Sequence, residues 1–450
     1  MRISTTPSQL LAVRGEIVHF TDDPIQRGAG ACVHFPDGLL LVREGHVLAC
    51  GPTAELESSL PTDAHRIDYS GKFIVPGFID THTHCAQTEI IASHGEQLSA
   101  WLEKYAWPAE ARHADPAYAA AGAGFFCDQL LRHGTTTAMV FTTVHPVCTD
   151  ALFEAARARR MRMIAGKVLM DRNCPESLRD TAAEGDAQSR ALIEKWHGRE
   201  RLAYAVTPRF APTSTEEQMQ RAGRLFGEIP GLYLQTHLAE QRSEVAWAMW
   251  LYPGARSYLD IYERFDQLGE RSVFAHCIWL DDEDRHRMAN SRAAMSFCPT
   301  SNLFLGSGLF DLARARDFGL RVGLGSDIGA GTSFSMLQIL NEAYKVVQLT
   351  GQVLTPEAGF YLATLGGARA LCLDEHIGNF LPGREADFVV LDPRSSVLLE
   401  ARVSHATTLT GRLFALMMLG DDRCVAATYV LGEPAFERDI SLPPRMPYQE

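Results

Sequence analysis

The sequence predicts an α/β protein whose main domain is a distorted (β/α)8 TIM-like barrel, accompanied by a small β-sandwich formed from both chain ends. Two patterns lead to this prediction. Across the middle of the chain, apolar runs with strand character alternate with amphipathic stretches, which is typical of a parallel sheet with crossover helices. Toward both ends, short apolar runs are separated by turn sequences, which is typical of antiparallel β structure. The predicted domain limits are residues 1–72, 73–383 and 384–450.

The predicted barrel strands share an apolar, often β-branched composition. They are residues 73–84, 135–141, 161–169, 202–208, 232–238, 272–276, 294–297 and 321–325. The helices predicted between them include residues 117–132, 150–160, 182–196, 216–229, 281–291 and 335–349. Eight strand and helix units match a (β/α)8 barrel, in which the C-terminal ends of the strands carry the chemistry.

The predicted terminal strands are shorter and lie next to Gly, Pro and Asp. They are residues 16–20, 31–35, 39–42, 46–50, 386–391 and 424–432. Neither end is long enough to form a stable sheet alone, so we expect the two sets to pair.

The composition favours a soluble, cytoplasmic protein that acts on a small, neutral molecule. The chain has 450 residues, of which 46% are hydrophobic, so it can bury a large core. It lacks an apolar run near the roughly 20 residues of a membrane helix, and it lacks a signal peptide pattern. A formal charge of −13 disfavours nucleic acid and anionic membranes, because those partners need clustered Lys and Arg. The ten cysteines include no Cys-x-x-Cys pair, which favours reduced thiols and makes histidine the expected metal ligand.

The first barrel strand ends on two histidines, His82 and His84. Strand side chains alternate between faces with a period of two, so both imidazoles lie on the same side and can bind one metal ion. The apolar run before them predicts a strand that is buried on both faces, where imidazoles without a partner are energetically costly. We therefore interpret His82 and His84 as metal ligands.

Three later barrel strands also lead into polar side chains. The fifth strand contains His237, and Glu240 follows three residues later. The sixth strand ends at His276, and Asp327 follows the eighth. A single histidine after an apolar strand is more often a hydrogen-bonded core residue than a ligand. Because all of these residues lie at the end of the barrel where active sites are built, we interpret them as one site.

Several motifs are similar to those of the amidohydrolase superfamily. They are the stretch Pro76-Gly77-Phe78-Ile79-Asp80-Thr81-His82-Thr83-His84, the later His237 and His276, the pair Ser326-Asp327, and the segment Pro382-Gly383-Arg384-Glu385-Ala386-Asp387. Within that superfamily the chain resembles the guanine deaminase family. This second resemblance is carried by residues 87–89, 101–105, 166–173, 208–210, 236–240 and 326–334.

The resemblance implies one zinc ion per chain, held by His82, His84, His237 and Asp327, with water completing the shell. A common subclass of the superfamily binds two metals through a carboxylated lysine on the fourth strand, and residues 202–208 contain no lysine. Three neutral imidazoles and one carboxylate suit Zn(II), which acidifies a bound water toward a pKa of about 7. Fe(II) accepts the same ligands, so the identity of the metal stays open.

The resemblance also implies three catalytic residues. Asp327 is expected to act as the base for the metal-bound water, and Glu240 to carry the proton to the purine ring and then to the departing ammonia. His276 is expected to orient the hydroxide and polarise the attacked carbon.

The substrate-binding residues implied by the resemblance are Gln87, Arg209, Phe210, His237 and Glu240. Guanine O6 is an acceptor that suits the guanidinium of Arg209, and the flat ring suits Phe210. The N3 and amino edge suits the amide of Gln87, which both donates and accepts.

The function implied is hydrolytic deamination of guanine at C2, giving xanthine and ammonia, by a cytoplasmic homodimer. Another nitrogen heterocycle stays open as the substrate, such as 8-oxoguanine, an adenosine-type nucleoside or a triazine, because related barrels share the metal site and differ in their pocket loops. The alternative outside the enzymes is a scaffold protein on the same fold. The presence of every expected ligand residue disfavours it.

Overall fold

The computed structural model describes residues 10–94 and 97–438. They form a barrel sheet from the middle of the chain and a terminal sheet from both ends. The predicted fold class, a TIM-like barrel with a β unit made from both ends, is therefore confirmed. The domain limits stay predictions, and residues 1–9 and 439–450, which they include, lie outside the described residues.

The strands are numbered along the chain. They are β1 (Leu11–Phe20), β2 (Cys32–Arg43), β3 (His46–Pro52), β4 (His65–Pro76), β5 (Phe78–His84), β6 (Thr135–Phe141), β7 (Arg162–Gly166), β8 (Val168–Leu169), β9 (Leu202–Pro208), β10 (Tyr233–Leu238), β11 (Ser272–His276), β12 (Ala294–Phe297), β13 (Arg321–Leu324), β14 (Phe388–Leu391), β15 (Val425–Val430) and β16 (Glu433–Glu437).

The barrel sheet has the order β5-β6-β7-β9-β10-β11-β12-β13, and all of these neighbours pair in parallel. The first and last strands meet at a seam without a regular strand ladder. There, Oγ1 of Thr81 donates to the carbonyl of Leu324 at 3.0 Å, and the amide of Asp327 donates to the carbonyl of His82 at 2.9 Å. These bonds hold the C-terminal ends of β5 and β13 side by side.

Two predicted strands are each divided in the structure. The prediction of one strand over residues 73–84 is wrong, because residues 73–76 pair with β14 in the terminal sheet and only β5 belongs to the barrel. The chain changes sheet at Gly77, where a Cβ would lie 2.2 Å from Oγ1 of Thr136. Residues 161–169 likewise form β7 and the separate β8, on either side of Lys167.

The α-helices are also numbered along the chain. They are α1 (Pro24–Arg27), α2 (Thr53–Leu56), α3 (Leu98–Trp101), α4 (Trp107–Arg112), α5 (Pro116–Arg132), α6 (Pro146–Ala158), α7 (Ala182–Trp196), α8 (Glu216–Glu228), α9 (Arg242–Leu251), α10 (Tyr258–Arg264), α11 (Asp282–Ser291), α12 (Pro299–Phe304), α13 (Leu312–Asp317), α14 (Met336–Leu349), α15 (Pro356–Tyr361), α16 (Gly367–Ala370), α17 (Val397–Ser404) and α18 (Leu409–Leu419).

Shorter turns complete the described structure. Six are 3₁₀ turns, at Gly28–Ala31, Glu57–Ser59, Cys85–Ile90, Glu176–Leu178, Ala211–Thr213 and Asp422–Cys424, and two are π-helical, at Leu102–Ala106 and Leu362–Gly366. Within the described ranges, no helix is both long enough and apolar enough to cross a membrane.

The terminal sheet has seven strands in the order β16-β15-β14-β4-β1-β2-β3. Its central pair, β1 and β4, is parallel, whereas the other neighbours are antiparallel. Ion pairs join this sheet to the barrel: the partly buried Glu385 contacts Arg162 and Arg201, and the buried Asp387 contacts Arg201. The segment 382–387, singled out by its sequence, therefore connects the two sheets.

Candidate active site

All but one of the predicted site residues line one pocket at the C-terminal ends of the barrel strands. It is lined by His84, Gln87, Leu98, Trp101, Leu102, Arg209, Phe210, His237, Glu240, Glu244, His276, Leu305, Asp327 and Ala330. Of the predicted site residues, only His82 does not line the pocket, and it lies directly behind the lining, with its ring 4.8 Å from that of His237.

The histidines and Asp327 form a tight cluster. Oδ1 of Asp327 lies 3.3 Å from Nε2 of His82 and 3.2 Å from Nε2 of His84. Nε2 of His84 is also 3.2 Å from Nε2 of His237. Two ligands that bind one zinc at about 2.1 Å in tetrahedral geometry lie about 3.4 Å apart. These three distances match the spacing that a single metal ion requires. The group whose ligand atoms all lie within 4.8 Å of one another, however, consists of His82, His237, His276 and Asp327 and does not include His84.

The protonation and burial of these side chains also suit a metal. Burial lowers the pKa of His84, and burial together with the neighbouring His82 lowers that of His237 well below the usual value, so both imidazoles are neutral at pH 7. Metal binding requires the neutral form. Nε2 of His82 is buried and makes no well-aligned hydrogen bond within the described residues, although Oδ1 of Asp327 lies 3.3 Å away. A buried nitrogen of this kind is costly unless something binds it.

His276 lies beside this cluster and has a different set of contacts. It belongs to a group with His82, His237 and Asp327 whose ligand atoms lie within 4.8 Å of one another. However, its Nε2 is 3.9 Å from Asp327 and 3.6 Å from Oε2 of Glu240. The amide nitrogen of Asn302 lies 2.9 Å from Nδ1 of His276. When that amide donates, the ring proton is on Nε2 and faces Glu240 and Asp327.

His237 is oriented by the backbone of the neighbouring strand. Its Nδ1 lies 2.7 Å from the carbonyl of Arg209. Because a carbonyl only accepts, Nδ1 carries the proton and Nε2 keeps its lone pair for a metal, an arrangement typical of histidine ligands.

Glu240 is held by contacts from two directions. Oγ of Ser307 donates to its Oε1 at 2.9 Å, and Glu244 accepts hydrogen bonds from the backbone amides of Glu240 and Gln241. Burial, together with the charges of Asp327 and Glu244, raises the pKa of Glu240 well above its usual value. The raised pKa favours the protonated form of Glu240, as a proton carrier requires.

Arg209, Phe210 and Gln87 also line the pocket. Nη1 of Arg209 contacts both oxygens of Glu110 at 2.8 Å, and Nε2 of Gln87 donates to Oε1 of Glu110 at 2.8 Å. Phe210 is 4% exposed and packs edge-on against Trp247. One buried carboxylate thus holds two of the predicted substrate-binding side chains.

Sequence reasoning missed Glu110, Glu244, Ser307 and Asn302. The first two are acids within helices, and the last two follow the seventh strand of the barrel. Nothing in their spacing along the chain marks them as neighbours of the site. Trp101 and Leu102, which also line the pocket, could have been found from the sequence, because residues 101–105 carry part of the family resemblance.

Comparison with known proteins agrees with this geometry. The model of the amidohydrolase family matches residues 73–435. The guanine deaminase of Escherichia coli K12 is 51% identical over 433 residues, covering 96% of this chain and 98% of that protein. A solved structure of E. coli guanine deaminase aligns with a TM-score of 0.93 at 50% identity, covering 95% and 100% of the two chains.

A third relative was solved with its substrate. The guanine deaminase from C. acetobutylicum, with bound guanine in the active site, aligns with a TM-score of 0.86 at 27% identity, covering 95% of this chain and 100% of that one. The family match and the relatives span nearly the whole chain. This chain belongs to the amidohydrolase family and, within it, to the guanine deaminases.

Proposed function

We propose that this protein is a hydrolase that converts guanine and water to xanthine and ammonia. The observation that carries the proposal is that one pocket brings together the histidine and aspartate cluster, Glu240 with its raised pKa, and the hydrogen-bonding pair Arg209 and Gln87. Its relatives named guanine deaminase support the same reaction.

Asp327, Glu240 and His276 have different roles in the proton transfers of this reaction. When bound, the metal supplies a Lewis acid that lowers the pKa of water. Asp327 takes a proton from the water that attacks C2 of guanine. Glu240 gives its proton to N3 of the ring. It then takes the proton of the hydroxyl group now bound to C2 and passes it to the amino group, which leaves as ammonia when the C2–N bond breaks. The proton that Asp327 took from the water then returns to Glu240. His276, with its proton on Nε2, donates toward the attacking oxygen.

The pocket walls hold the purine in the plane that this attack needs. Arg209 supplies donors for O6, Gln87 reads the N3 and amino edge, and Phe210 packs against the flat ring. The surrounding apolar side chains Trp101, Leu102 and Leu305 exclude water, which strengthens every polar contact inside the pocket.

We propose zinc as the metal, one ion per chain, held by His82, His84, His237 and Asp327. Support comes from the 3.2–3.3 Å spacing of these side chains and from the preference of Zn(II) for three imidazoles and one carboxylate. Elemental analysis of the purified protein measures the identity and number of ions, and iron in place of zinc would correct the assignment.

We also propose a homodimer in the cytoplasm. Apolar side chains are exposed near the end of α14 and the start of α17: Leu349 and Val353 are each 68% exposed, Val397 86% and Leu398 66%. Exposed apolar groups of this size favour contact with another chain. Analytical ultracentrifugation measures the oligomeric state, and a monomer at micromolar concentration would contradict the dimer.

The test of the function is a screen for ammonia release across a panel of guanine, 8-oxoguanine, adenine, adenosine, cytosine and a triazine, with ultraviolet spectra to identify the products. We expect guanine to give xanthine. Equal release from adenine or cytosine would overturn this assignment of the pocket.

A further inference from the structure

Glu110 is a buried carboxylate that the proposed reaction does not use. It lies in α4, is 0% exposed and does not line the pocket. Its hydrogen-bond partners are Arg209 and Gln87, the two polar side chains that we expect to read the purine edge. A buried charge is retained only when it is paired, and here both partners face the substrate.

The contact with Glu110 determines which guanidinium nitrogens of Arg209 remain free to donate to a ligand. Both oxygens of Glu110 lie 2.8 Å from the single nitrogen Nη1. Nε and Nη2 of Arg209 make no hydrogen bond to any residue in the described ranges. These two nitrogens are therefore the donors available to a ligand.

Glu110 also decides the orientation of the Gln87 amide. An amide oxygen facing a carboxylate is repelled, so Nε2 must face Glu110. On the other side, a Cβ added to Gly329 would lie 2.2 Å from Oε1 of Gln87, so the amide packs directly against the backbone there. The side-chain hydrogen bond of Gln87 within the described residues is made by Nε2, so Oε1 is the acceptor available to a ligand.

We propose that Glu110 is a positioning residue. By its contacts with Arg209 and Gln87, it fixes which hydrogen-bonding atoms this wall of the pocket presents to the substrate: donors from Arg209 and an acceptor from Gln87. A purine that offers a six-oxo acceptor to Arg209 and an N–H donor to Gln87, as guanine does with O6 and its amino group, matches this arrangement. The adenine edge carries an amino donor beside an acceptor nitrogen and opposes it. The proposal rests on the proposed function, because it concerns the same pocket.

The test compares Glu110→Gln with Glu16→Gln. The two substitutions make the same chemical change, and Glu16 is also a buried acid that pairs with an arginine, Arg412, but in the terminal sheet. We expect Glu110→Gln to raise KM for guanine by about 10-fold or more, while kcat falls by less than about threefold. The reason is that Arg209 and Gln87, once no longer held by Glu110, weaken substrate binding more than they slow the chemical step. Glu16→Gln leaves both constants unchanged.

Hypoxanthine provides a binding measurement without turnover, because it keeps the six-oxo group and lacks the amino group at C2. Its Kd, measured by calorimetry, is expected to rise by the same factor as KM in Glu110→Gln. Metal content and melting temperature of both variants show whether each is folded. A loss of thermal stability without a change in KM or Kd would mean that Glu110 is only structural and would overturn the proposal.

If Glu110→Gln does not fold, Glu110→Asp replaces it. Aspartate keeps the charge but is one methylene shorter, so it cannot hold Arg209 and Gln87 together, and we expect KM and Kd to rise by about fivefold or more. Unchanged values would overturn the proposal. A wild-type protein that binds hypoxanthine but releases no ammonia from guanine would overturn the proposed function instead, and the Kd of the variants would then decide the role of Glu110.

Discussion

At the scale of single residues, two buried glutamates serve different purposes because their neighbours differ. Glu240 receives a hydrogen bond from the neutral hydroxyl of Ser307 and lies near two other carboxyl groups, so burial and repulsion raise its pKa. Glu110 instead contacts a guanidinium and an amide. The first is suited to carry a proton, and the second is suited to hold other side chains in place.

Replacing Glu240 with Gln is expected to abolish most turnover. The amide keeps the shape and can still accept from Ser307, but it has no proton to transfer, so kcat should fall on the order of 10² to 10⁴-fold. Steady-state kinetics with guanine measure the turnover, and elemental analysis measures the metal content. Metal content should equal that of the wild type, and retention of more than about a tenth of the activity would make Glu240 a structural residue.

Replacing Arg209 with Lys keeps the charge beside Glu110 but removes the planar fork of donors. We expect kcat/KM for guanine to fall about 10- to 100-fold, the effect of losing one well-made base-edge contact, without any gain with adenine. The matched control is Arg412→Lys, which alters the equivalent pair with Glu16 far from the pocket. A variant as active as the control would show that Arg209 does not contact the substrate.

At the scale of elements, the site depends on where β4 ends and β5 begins. Residues 73–75 of β4 and residues 78 and 79 of β5 are apolar. The chain passes from the terminal sheet to the barrel at Gly77, whose Cα packs against Thr136 of β6. The crossing determines the position of β5 and therefore the direction in which His82 and His84 point. A side chain at this position would push β5 away from β6.

Gly77→Ala is expected to destabilise the protein by about 1 to 3 kcal/mol or more, because an added methyl group in a packed interior forces its neighbours to move. Its Cβ would meet Oγ1 and Cγ2 of Thr136 at 2.2 and 2.7 Å. Gly227→Ala makes the same change in α8, where nothing lies within 4 Å, and should be neutral or stabilising. Thermal unfolding compares the two, and equal melting temperatures would contradict the tight packing at Gly77.

At the scale of the whole molecule, the two sheets are joined by buried charges at the end of the barrel opposite the pocket. Glu385 lies between Arg162 and Arg201, and Asp387 also contacts Arg201. Burial by itself would raise the pKa of Glu385, but the charge of Arg201 and the contacts with Arg162 outweigh it, so the pKa lies below the usual value. These pairs couple the stability of the terminal sheet to that of the barrel.

Glu385→Gln is expected to lower the free energy of unfolding by about 3 kcal/mol at pH 7, the cost of breaking a buried pair. Because the folded pKa lies below the unfolded value of about 4.5, the stabilisation is present above that pH and is lost as the pH falls through the folded pKa. The wild type should therefore lose stability more steeply than the variant between about pH 5 and 3. Urea unfolding at several pH values measures this, with the exposed Glu263→Gln as the control. Parallel pH dependence in wild type and Glu385→Gln would contradict it.

The order of strands along the chain, the barrel and the histidines at its rim could be predicted because each follows from local pattern. Strand side chains alternate with a period of two, so His-x-His alone places both imidazoles on one face, and barrel strands present their C-terminal ends to one rim. The resemblance to guanine deaminases added Gln87, Arg209 and Phe210, and the structure brings all three into the pocket.

The tertiary structure alone decided the division of residues 73–84 between two sheets, and the contacts of Glu110, Glu244, Ser307 and Asn302. The apolar residues on either side of Gly77 show the same pattern whether they belong to one strand or to two. Only the packing of Gly77 against Thr136 shows that β4 ends and β5 begins there. Glu110 and Arg209 are 99 positions apart, and no periodicity connects residues at that separation. Local patterns and the family resemblance therefore indicate which groups are expected to perform the chemistry. The fold shows which groups hold them in place, because positioning depends on long-range contacts that local patterns do not contain.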